Sequence, residues 1–386
     1  MKETIKKFIP AFLISWYHFF LAFLGAIIYQ FPSCLRRQAK KIKVIGVTGT
    51  KGKSTVIELA SRILEEAGHK VALVSSIRFK IGEKEEKNEL KMTMPGRMKI
   101  QRFLREAVNS NCSYAILEVT SEGILQHRHK FIDFDVVIFT NLSPEHIERH
   151  GSFENYRRAK GKLFKECKKI HILNLDDENT KYFLQFKAEK KLGFTLGNRI
   201  LGNQSSDGDP TSVIEAKNIK ELPIGLNFEI ENIKFNLNLF GQFNVSNALA
   251  AICVGLFQGI DLETCKSALE KIKGIPGRME EVISQPFKVI VDYAHTPDSL
   301  RKVYETLLIS KSLPCRQAGK MICVLGAAGG GRDKWKRKIL GELAAKYCNE
   351  VIITNEDPYD ENPIEIINQV ASGTESISVN QRFIKF

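Results

Sequence analysis

The stretch Lys43-Val-Ile-Gly-Val-Thr-Gly-Thr-Lys-Gly-Lys-Ser-Thr55 decides how this chain is organised. It begins with a short apolar run, turns at closely spaced glycines and leads into a segment whose apolar positions recur every three or four residues. That order predicts a strand, a tight loop and a helix. Glycines let backbone N–H groups turn toward phosphate oxygens, and the amino terminus of a helix adds positive partial charge. Lys53 can reach the outer phosphates of a nucleotide, and the hydroxyl of Ser54 or Thr55 can bind Mg²⁺. The alternative, a purely structural turn, explains the Gly-Lys-Ser-Thr order less well.

Apolar runs alternate with helical patterns along most of the chain. Strands are predicted at 43–47, 71–74, 114–119, 136–139, 170–175, 289–291, 321–326 and 351–354, a loop at 202–211, a hairpin at 228–239 and helices at 245–257, 297–308 and 339–347. Alternation of this kind indicates parallel sheets wrapped by helices. We therefore predict an α/β fold with a P-loop-type parallel-sheet central domain followed by a Rossmann-like C-terminal α/β domain. The predicted boundaries are 1–40 for an apolar amino-terminal segment with a basic linker, 41–273 for the central domain and 274–386 for an incomplete C-terminal domain.

The composition narrows the class of protein. A chain of 386 residues with 43% hydrophobic and 26% charged residues suits two or three folded domains. Its eight cysteines form no C-x-x-C pair, which argues against a zinc module and fits a reducing compartment. The net charge of +13 is compatible with polyphosphate substrates, an anionic membrane surface or scattered surface lysines. Because no nucleic-acid-binding module is recognisable, no nucleic acid partner is expected.

The amino-terminal segment is unusually apolar. No Lys, Arg, Asp or Glu occurs from Phe8 to Phe31, and about 20 apolar residues are enough to cross a bilayer. Basic residues flank it at Lys2, Lys6 and Lys7 and, more densely, at Arg36, Arg37, Lys40, Lys41 and Lys43. The denser cluster predicts that the following domain faces the cytoplasm. Three interpretations of residues 8–31 stay open: a membrane anchor, an interfacial helix, or a buried helix of the first domain. A cleaved signal peptide is disfavoured, because no small-residue cleavage site stands out.

Polar side chains follow the predicted strands, where ligands bind in open α/β sheets. Glu118 ends the run Ala115-Ile-Leu-Glu118 and offers hard oxygen ligands for Mg²⁺. His146 follows the strand at 136–139, although a single histidine is more often a capping or surface residue. Lys160, on its own, is one more helix lysine.

Together these motifs resemble the Mur ligases of bacterial cell-wall synthesis. The matching pieces are Gly49–Thr55, Glu118-Val-Thr-Ser121, Thr140-Asn-Leu-Ser143, Glu145-His146, His150-Gly151, Tyr156-x-x-Ala-Lys160-x-x-Leu-Phe164, Phe243–Ala251, Gly277-Arg-Met-Glu280, Asp292-Tyr-Ala-His-Thr-Pro-Asp-Ser-Leu300, Gly326–Lys334 and Thr354–Tyr359. The Asp292–Leu300 segment is the most specific, and it resembles the members that add the third residue of the stem peptide. The order Thr120-Ser-Glu-Gly123 resembles folylpolyglutamate synthases instead, since Mur ligases often have Ser-Ser-His there.

The resemblance implies ATP and Mg²⁺ as cofactors and assigns roles to individual residues. ATP would be bound by Gly49, Thr50, Lys51, Gly52, Lys53, Ser54, Thr55, Asn247 on the adenine side, Arg278, Asp292 at the ribose and His295. Mg²⁺ would be held by Ser54, Glu118, His146 and a carbamylated Lys160. The catalytic set would be Lys53, Lys160, His146 and Arg278, and the substrate-binding set Thr120, Ser121, Arg128, Asn355, Glu356 and Asp357.

The implied reaction is ATP-dependent amide formation through an acyl phosphate, in the cytoplasm. It would join a free amino acid to a UDP-N-acetylmuramoyl-L-alanyl-D-glutamate-type acceptor. The added amino acid stays open among diaminopimelate, lysine and similar amines, because Tyr359 stands where diaminopimelate-adding enzymes usually have Arg. The family's uridine-binding domain and later Gly-Lys-Gly-His-Glu segment have no counterpart, and residues 8–31 stand in place of the former. We therefore expect a lipid-linked muropeptide acceptor at the inner face of the membrane. The alternatives are a folylpolyglutamate synthase-like ligase and a membrane-tethered nucleotide-binding module without ligase activity.

Overall fold

The computed structural model describes residues 10–33, 42–90, 92–197, 210, 212–222, 225–310, 320–374 and 382–385. The basic linker at 36–41 and the predicted loop at 202–211, apart from Pro210, lie outside these residues. Contacts divide the chain into two compact units. The first unit comprises the described parts of Met1–Ser143, Arg157–Lys220 and Leu226–Pro276, and the second those of Pro144–Tyr156, Glu221–Gly225 and Gly277–Phe386.

The elements follow one another in α/β order along the chain. The helices are α1 (Ala11–Ile28), α2 (Lys53–Glu66), α3 (Arg97–Asn109), α4 (Ser121–Leu125), α5 (Ile147–His150), α6 (Phe153–Glu166), α7 (Thr180–Leu184), α8 (Phe243–Phe257), α9 (Leu262–Glu270), α10 (Pro297–Ser310), α11 (Lys336–Tyr347) and α12 (Pro363–Ala371). The strands are β1 (Lys43–Thr48), β2 (Val71–Val74), β3 (Arg78–Ile81), β4 (Lys84–Lys87), β5 (Tyr114–Glu118), β6 (Phe134–Phe139), β7 (Ile170–Asn174), β8 (Lys190–Thr195), β9 (Ser212–Glu215), β10 (Lys217–Leu222), β11 (Gly225–Ile230), β12 (Ile233–Leu237), β13 (Glu280–Ile283), β14 (Val289–Val291), β15 (Ile322–Leu325), β16 (Glu350–Ile353) and β17 (Arg382–Lys385). Every strand predicted from the apolar runs is confirmed within one or two residues at its ends.

A nine-stranded sheet organises the first unit, in the order β4-β3-β2-β5-β1-β6-β7-β8-β9. Seven adjacent strands of this sheet, β2, β5, β1, β6, β7, β8 and β9, pair in parallel. At one edge, β3 pairs antiparallel with β2, and β4 pairs antiparallel with β3. Strand β1 lies between β5 and β6, with Val47 paired to both Glu118 and Ile138. Because these three strands run in the same direction, the residues that follow them meet at one edge of the sheet.

The core of the first unit explains why these segments adopt this fold. Strand β1 is buried from Val44 to Thr48, as expected for a central strand covered on both faces. Helix α2 turns Val56, Leu59, Ala60 and Ile63 into the core, where it packs with α8. Burial of each of the larger side chains, Val56, Leu59 and Ile63, contributes about 1.5–3 kcal/mol. The predicted hairpin is confirmed as β11 and β12, in which the Phe228 and Phe235 rings stack with centroids 5.0 Å apart.

The second unit has its own small parallel sheet, in the order β15-β16-β17. Helices α10, α11 and α12 contribute apolar residues to a separate core around Leu340, Val351 and Val370. Strands β13 and β14 pair antiparallel with each other. The predicted fold class, a parallel-sheet central domain followed by a Rossmann-like α/β domain, is confirmed.

The apolar amino-terminal segment forms helix α1, which packs against α3 in the first unit. Its small residues Ala22, Gly25 and Ala26 are buried at this contact, and a Cβ added at Gly25 would meet Met98 Sδ at 3.0 Å. Among the described residues, no helix has the combined length and apolar character that a membrane crossing requires.

Candidate functional site

The loop from Gly49 to Gly52 is held by the residues that follow β6. Asn141 accepts the Thr50 N–H through its carbonyl at 2.8 Å and the Lys51 N–H through its side-chain oxygen at 2.9 Å. The Thr140 hydroxyl and the Asn141 amide both donate to the Lys51 carbonyl, at 2.7 and 3.0 Å. The adjacent β6 therefore fixes both sides of the loop before any ligand binds.

Two glycines are required by this geometry. Gly52 has a φ of 79°, and Gly49 has a φ of 151°. A Cβ at Gly52 would overlap Asn247 Oδ1, and one at Gly49 would overlap Thr140 Oγ1. Gly52 also precedes helix α2, and it has no side chain that could cap the first turn. The first N–H groups of α2 can therefore serve an anion, which is the arrangement found at phosphate sites.

Three residues at the carboxyl edge of the sheet come together beside this loop. Lys53 Nζ lies 3.9 Å from Glu118 Oε1 and donates to the loop carbonyls of Gly49 and Thr50, at 3.2 and 2.8 Å. Ser54 Oγ donates to Glu118 Oε2 at 2.9 Å. The buried carboxylate thus lies between the lysine and the hydroxyl that the sequence predicted for phosphate and Mg²⁺. Thr55, the remaining predicted loop residue, is buried in the first turn of α2.

Lys160 is the most buried member of the predicted set. Its side chain is 1% exposed, and its Nζ donates to the Gly49 carbonyl at 2.8 Å. A buried lysine is costly unless it is paired or modified. The structure therefore brings Lys160 to the phosphate loop, although α6 is separated from that loop by more than a hundred residues of sequence.

Asn247 is likewise brought to the loop, on helix α8. Its Oδ1 lies against Gly52, and its Nδ2 donates to Asn244 Oδ1 at 3.0 Å. Asn244 in turn donates to the Phe240 carbonyl at 2.7 Å. The pair fixes the orientation of the Asn247 amide at the start of α2.

The predicted substrate residues Thr120, Ser121 and Arg128 have local structural partners. Thr120 caps α4 by accepting the Gly123 N–H at 3.0 Å, and Ser121 is buried. Arg128 donates to the Met94 carbonyl and to the Gln126 side chain, and burial lowers its pKa.

In the second unit, Arg278, Asp292 and His295 are close in space. The Arg278 guanidinium lies 4.9 Å from the centroid of the Tyr293 ring, and His295 packs edge-on against the same ring. Asp292 accepts the N–H groups of Met279 and Ala294, at 2.8 and 2.7 Å, while burial raises its pKa. The carboxylate therefore fixes the turn that carries Arg278.

His146 belongs to the second unit, where its Nε2 lies 3.9 Å from Glu145 Oε1. The same Glu145 oxygen is 2.9 Å from His295 Nε2. Glu145 was not predicted as a site residue, although it directly precedes His146 in the quoted motif. It links two predicted residues that lie about 150 positions apart in sequence.

The segment predicted to bind the substrate amino acid, Asn355, Glu356 and Asp357, is exposed. It contacts the glycine-rich loop at 326–331. The Asp357 carbonyl accepts the Gly329 N–H at 3.1 Å. Tyr359 packs on Gly330 and lies under the Arg332 guanidinium, 5.1 Å from its ring centroid. Lys336, in the first turn of α11, is buried, and burial lowers its pKa.

The residues around Glu118 fit Mg²⁺ bound together with a nucleotide. Within the described chain, no group of three or more His, Cys, Asp or Glu side chains is spaced to hold a metal by itself. Mg²⁺ commonly takes only one or two carboxylates and completes its shell with water and substrate phosphates. Glu118 and Ser54 provide that partial set of hard oxygen ligands.

Ser76, Thr140 and Asn141 were missed as site residues. Ser76 donates its N–H to Glu118 at 2.8 Å and contacts the Ser54 hydroxyl at 2.7 Å. A polar residue within two positions of the end of a buried strand is a signal for all three, because β2 ends at Val74 and β6 at Phe139.

Comparisons with known proteins agree with this geometry. Residues 47–255 match the Mur ligase middle domain, and residues 277–384 match the Mur ligase glutamate ligase domain. The chain is 34% identical over 388 residues to a UDP-N-acetylmuramyl-tripeptide synthetase of Roseiflexus sp. (strain RS-1), which covers 96% of this chain and 72% of the relative. It is 35% identical over 364 residues to a UDP-N-acetylmuramoyl-L-alanyl-D-glutamate--2,6-diaminopimelate ligase of Syntrophomonas wolfei, covering 92% of this chain and 69% of the relative.

Solved structures show the same fold. One of a UDP-N-acetylmuramoyl-L-alanyl-D-glutamate--2,6-diaminopimelate ligase superposes with a TM-score of 0.62 at 26% identity, over 90% of this chain and 68% of that one. The Mycobacterium tuberculosis folylpolyglutamate synthase bound to ADP gives a TM-score of 0.70 at 14% identity, over 95% and 84% of the two chains. That second likeness concerns the fold alone. The resemblance predicted from the motifs is confirmed, and the chain belongs to the Mur ligase family of ATP-dependent ligases.

Proposed function

We propose that this chain is an ATP-dependent acid–amino-acid ligase of peptidoglycan precursor synthesis. It would join a free amino acid to the carboxylate of a UDP-N-acetylmuramoyl-L-alanyl-D-glutamate-type acceptor. The observation that supports this most directly is the grouping of Lys53, Glu118 and Lys160 around one glycine loop at the carboxyl edge of a parallel sheet. The names of the two relatives, both of which describe ligation to a muramoyl peptide, support the choice of acceptor.

The proposed reaction has two steps, phosphoryl transfer from ATP and then amide formation. A carboxylate oxygen of the acceptor attacks the γ-phosphorus of ATP, the bond to the leaving ADP breaks, and an acyl phosphate forms. The amine nitrogen of the amino acid then attacks the acyl carbon, phosphate leaves, and the nitrogen loses a proton to give the amide. Both steps move negative charge between oxygens, so electrostatic stabilisation is the main contribution required of the protein.

Residues of both units would supply that stabilisation in this proposal. The Lys53 ammonium and the N–H groups at the start of α2 would bind the outer phosphates and neutralise charge on the transferring group. Glu118 and Ser54 would hold Mg²⁺, which supplies Lewis-acid stabilisation of phosphate oxygens. His146 would complete the metal ligands, and Arg278 would add a second cation at the phosphates. Asn247, Asp292 and His295 would bind the nucleoside.

Lys160 has a separate predicted role, as a carbamate. The ammonium would first lose one proton, and the free amine nitrogen would then attack CO₂ and lose a second proton, so that a buried cation becomes an anion able to bind Mg²⁺. The support for this role is position, because Lys160 is 1% exposed and its Nζ lies 2.8 Å from the carbonyl of Gly49 in the phosphate loop. Incubation with ¹³C-labelled bicarbonate should give a carbamate resonance that is absent from Lys160→Met. A spectrum identical to that of the variant would remove the carbamate from the mechanism.

The predicted substrate residues divide between the units. Thr120, Ser121 and Arg128 would face the acceptor, and Asn355, Glu356 and Asp357 the incoming amino acid. A requirement for ATP and free amino acids would suit a cytoplasmic reaction, and we propose further that the reaction occurs at the inner face of the membrane, with a lipid-linked acceptor.

The decisive experiment measures phosphate release with ATP, Mg²⁺, muramoyl dipeptide acceptors and a panel of amino acids. A ligase releases phosphate only when acceptor and amino acid are both present, and mass spectrometry should show the tripeptide product. Soluble UDP-linked and lipid-linked acceptors are compared in the same assay, and preference for the soluble form would remove the lipid-linked proposal. Phosphate release independent of the amino acid would indicate a nucleotide-binding module. Turnover only with folate and glutamate would indicate the folylpolyglutamate branch.

A further inference from the structure

Helix α1 presents its large side chains to the solvent and its small ones to the protein. The buried positions are Ala22, Gly25 and Ala26, whereas Trp16 is 70% exposed and Phe12 is 64% exposed. A surface helix of a globular protein normally shows the opposite order, with large apolar residues inward and polar residues outward. The exposed large apolar side chains of α1 are Phe12, Leu13, Trp16, Tyr17, Phe19, Phe20, Phe23, Ile27 and Ile28.

These residues form one continuous surface, which we call the aromatic face. Phe12, Trp16, Phe20, Phe23 and Ile27 follow one another at steps of three or four, which places them in a row along about 23 Å of helix. Exposed apolar patches on monomeric proteins rarely exceed a few hundred Å² unless they serve an interaction. The aromatic face contains no charged or amide side chain that would favour contact with water.

The opposite side of α1 is attached to the protein. The close approach of Gly25 to Met98 fixes the helix against α3. Ser15 Oγ lies 2.8 Å from His127 Nε2. Phe19 and Phe23 lie at the border of the aromatic face, where they are 38% and 40% exposed and each packs against the Phe131 ring. Because half of its circumference is occupied in this way, α1 can offer an apolar ligand one face only. A helix of this kind suits the plane of a membrane interface.

Charge identifies the surface that fits. Helix α3, the neighbour of α1, has an exposed cation at Lys99 and an exposed ion pair of Arg102 with Glu106, whereas Arg97 and Arg105 donate to backbone carbonyls of the protein. In the sequence, Lys2, Glu3, Lys6 and Lys7 precede the apolar segment, and five further cations with no acidic residue lie between positions 34 and 43. Anionic lipid surfaces attract such basic flanks by about 1 kcal/mol per residue. Trp and Tyr are also the side chains that prefer the headgroup level.

We propose that the aromatic face of α1 binds the surface of a membrane containing anionic lipid, with α1 lying in the plane of the interface. This attachment would hold the first unit at the lipid surface without a transmembrane segment. It requires neither nucleotide nor acceptor, so its failure would leave the proposed ligase activity untouched.

Vesicle binding of the full chain tests the proposal. The chain should cosediment with phosphatidylglycerol–phosphatidylcholine vesicles, and binding should fall at least about tenfold on phosphatidylcholine alone or at high salt. Substituting Phe12, Trp16 and Phe20 with Ser should lower the partition coefficient by about a hundredfold or more, since each buried aromatic contributes on the order of tenfold. Phe287→Ser is the matched control, because Phe287 is also 64% exposed but lies in the second unit. It should bind vesicles as the unmodified chain does.

Tryptophan fluorescence gives a second measurement that does not depend on the triple variant folding. The chain contains two tryptophans, so Trp335→Phe leaves Trp16 as the only reporter. Its emission should shift to the blue on adding anionic vesicles, and brominated lipid should quench it. An unshifted spectrum, or equal binding to neutral and anionic vesicles, would overturn the proposal. So would a stable dimer in vesicle-free solution that protects Trp16 and dissociates in the triple variant, because the aromatic face would then bind a second copy.

Discussion

Two glycine-rich loops of this protein follow a parallel strand and lead into a helix that begins with a lysine, yet they are held differently. The loop at 49–52, after β1, is fixed by buried partners from β6 and α6, including Thr140 and Lys160. In the loop at 326–331, after β15, Gly329 and Gly330 contact the exposed residues Asp357 and Tyr359, and only Ala328 has a buried hydrogen-bond partner among those described, because Arg337 donates to its carbonyl at 3.2 Å. Water can replace an exposed hydrogen-bond partner much more easily than a buried one. The first loop is therefore preorganised for its ligand, whereas residues 329–331 of the second can change shape when the segment around Asp357 moves.

The largest expected effect comes from removing the lysine of the first loop. Lys53→Ala should lower kcat by about 10²–10³-fold, because it removes a preorganised cation from the transferring phosphoryl group. Amino-acid-dependent phosphate release measures this. Lys234→Ala, which removes a lysine with an 80% exposed side chain, should leave kcat unchanged. Unimpaired turnover in Lys53→Ala would contradict both the proposed mechanism and the functional importance of this loop.

A matched pair of glycine substitutions compares the two loops directly. Gly52 and Gly331 have similar φ values of 79° and 71°, so an alanine is strained at both positions by about 1 kcal/mol. At Gly52 the new methyl group would also overlap Asn247, whereas nothing lies within 4 Å of the corresponding position at Gly331. Gly52→Ala should therefore lower the free energy of unfolding by about 2–4 kcal/mol and Gly331→Ala by about 1 kcal/mol. Chemical denaturation measures both, and equal losses would show that Asn247 does not restrict the first loop.

The side-chain amide of Asn141 should account for part of the difference in rigidity between the two loops. Asn141→Ala removes the acceptor for the Lys51 N–H and a donor to the Lys51 carbonyl, which should cost about 1–3 kcal/mol of stability. The affinity for ATP should fall as well, since the loop loses its fixed shape. Isothermal titration measures that affinity. Asn355→Ala, an exposed asparagine of the second unit, serves as the control and should leave stability within about 0.5 kcal/mol. If the two variants were equally stable, the first loop would not depend on β6.

The sequence predicted the strand, loop and helix around Lys53 because these lie within one continuous segment. It did not predict the role of Asn141, whose partner is 90 residues away, because that contact depends on β1 lying between β5 and β6. The β3–β4 pair was missed for a different reason. Strand β4 is Lys-Glu-Glu-Lys, exposed throughout, so it has no apolar alternation to detect.

The apolar segment at residues 8–31 also shows that the sequence alone does not reveal which residues will be in contact. Its composition left three interpretations open, because the hydrophobicity of a helix that is apolar all round does not reveal which side the protein covers. Ala22, Gly25 and Ala26 were the available signal, since small residues on one side allow close helix packing. The position of His146 after a strand was predicted from the sequence, whereas its contact with Glu145, which also contacts His295, became visible only in the structure.

The smallest expected effect concerns the lysine that begins the helix after the second loop. Burial lowers the pKa of Lys336, while Glu145 and Asp333 oppose the shift. The folded state therefore binds this proton less tightly than the unfolded state, whose lysine pKa is about 10.4. The resulting stability is fully present above that value and is lost as the pH falls toward the folded pKa.

Lys336→Met removes this contribution, so the difference in unfolding free energy between the variant and the unmodified chain should change by under about 1 kcal/mol between roughly pH 8 and pH 10. Urea denaturation across that range measures it, with Lys346→Met on the exposed side of the same helix as the control. A difference that is independent of pH would mean that the acidic neighbours fully compensate the ammonium of Lys336. The second loop would then be held at the start of α11 as firmly as the first loop is held at the start of α2.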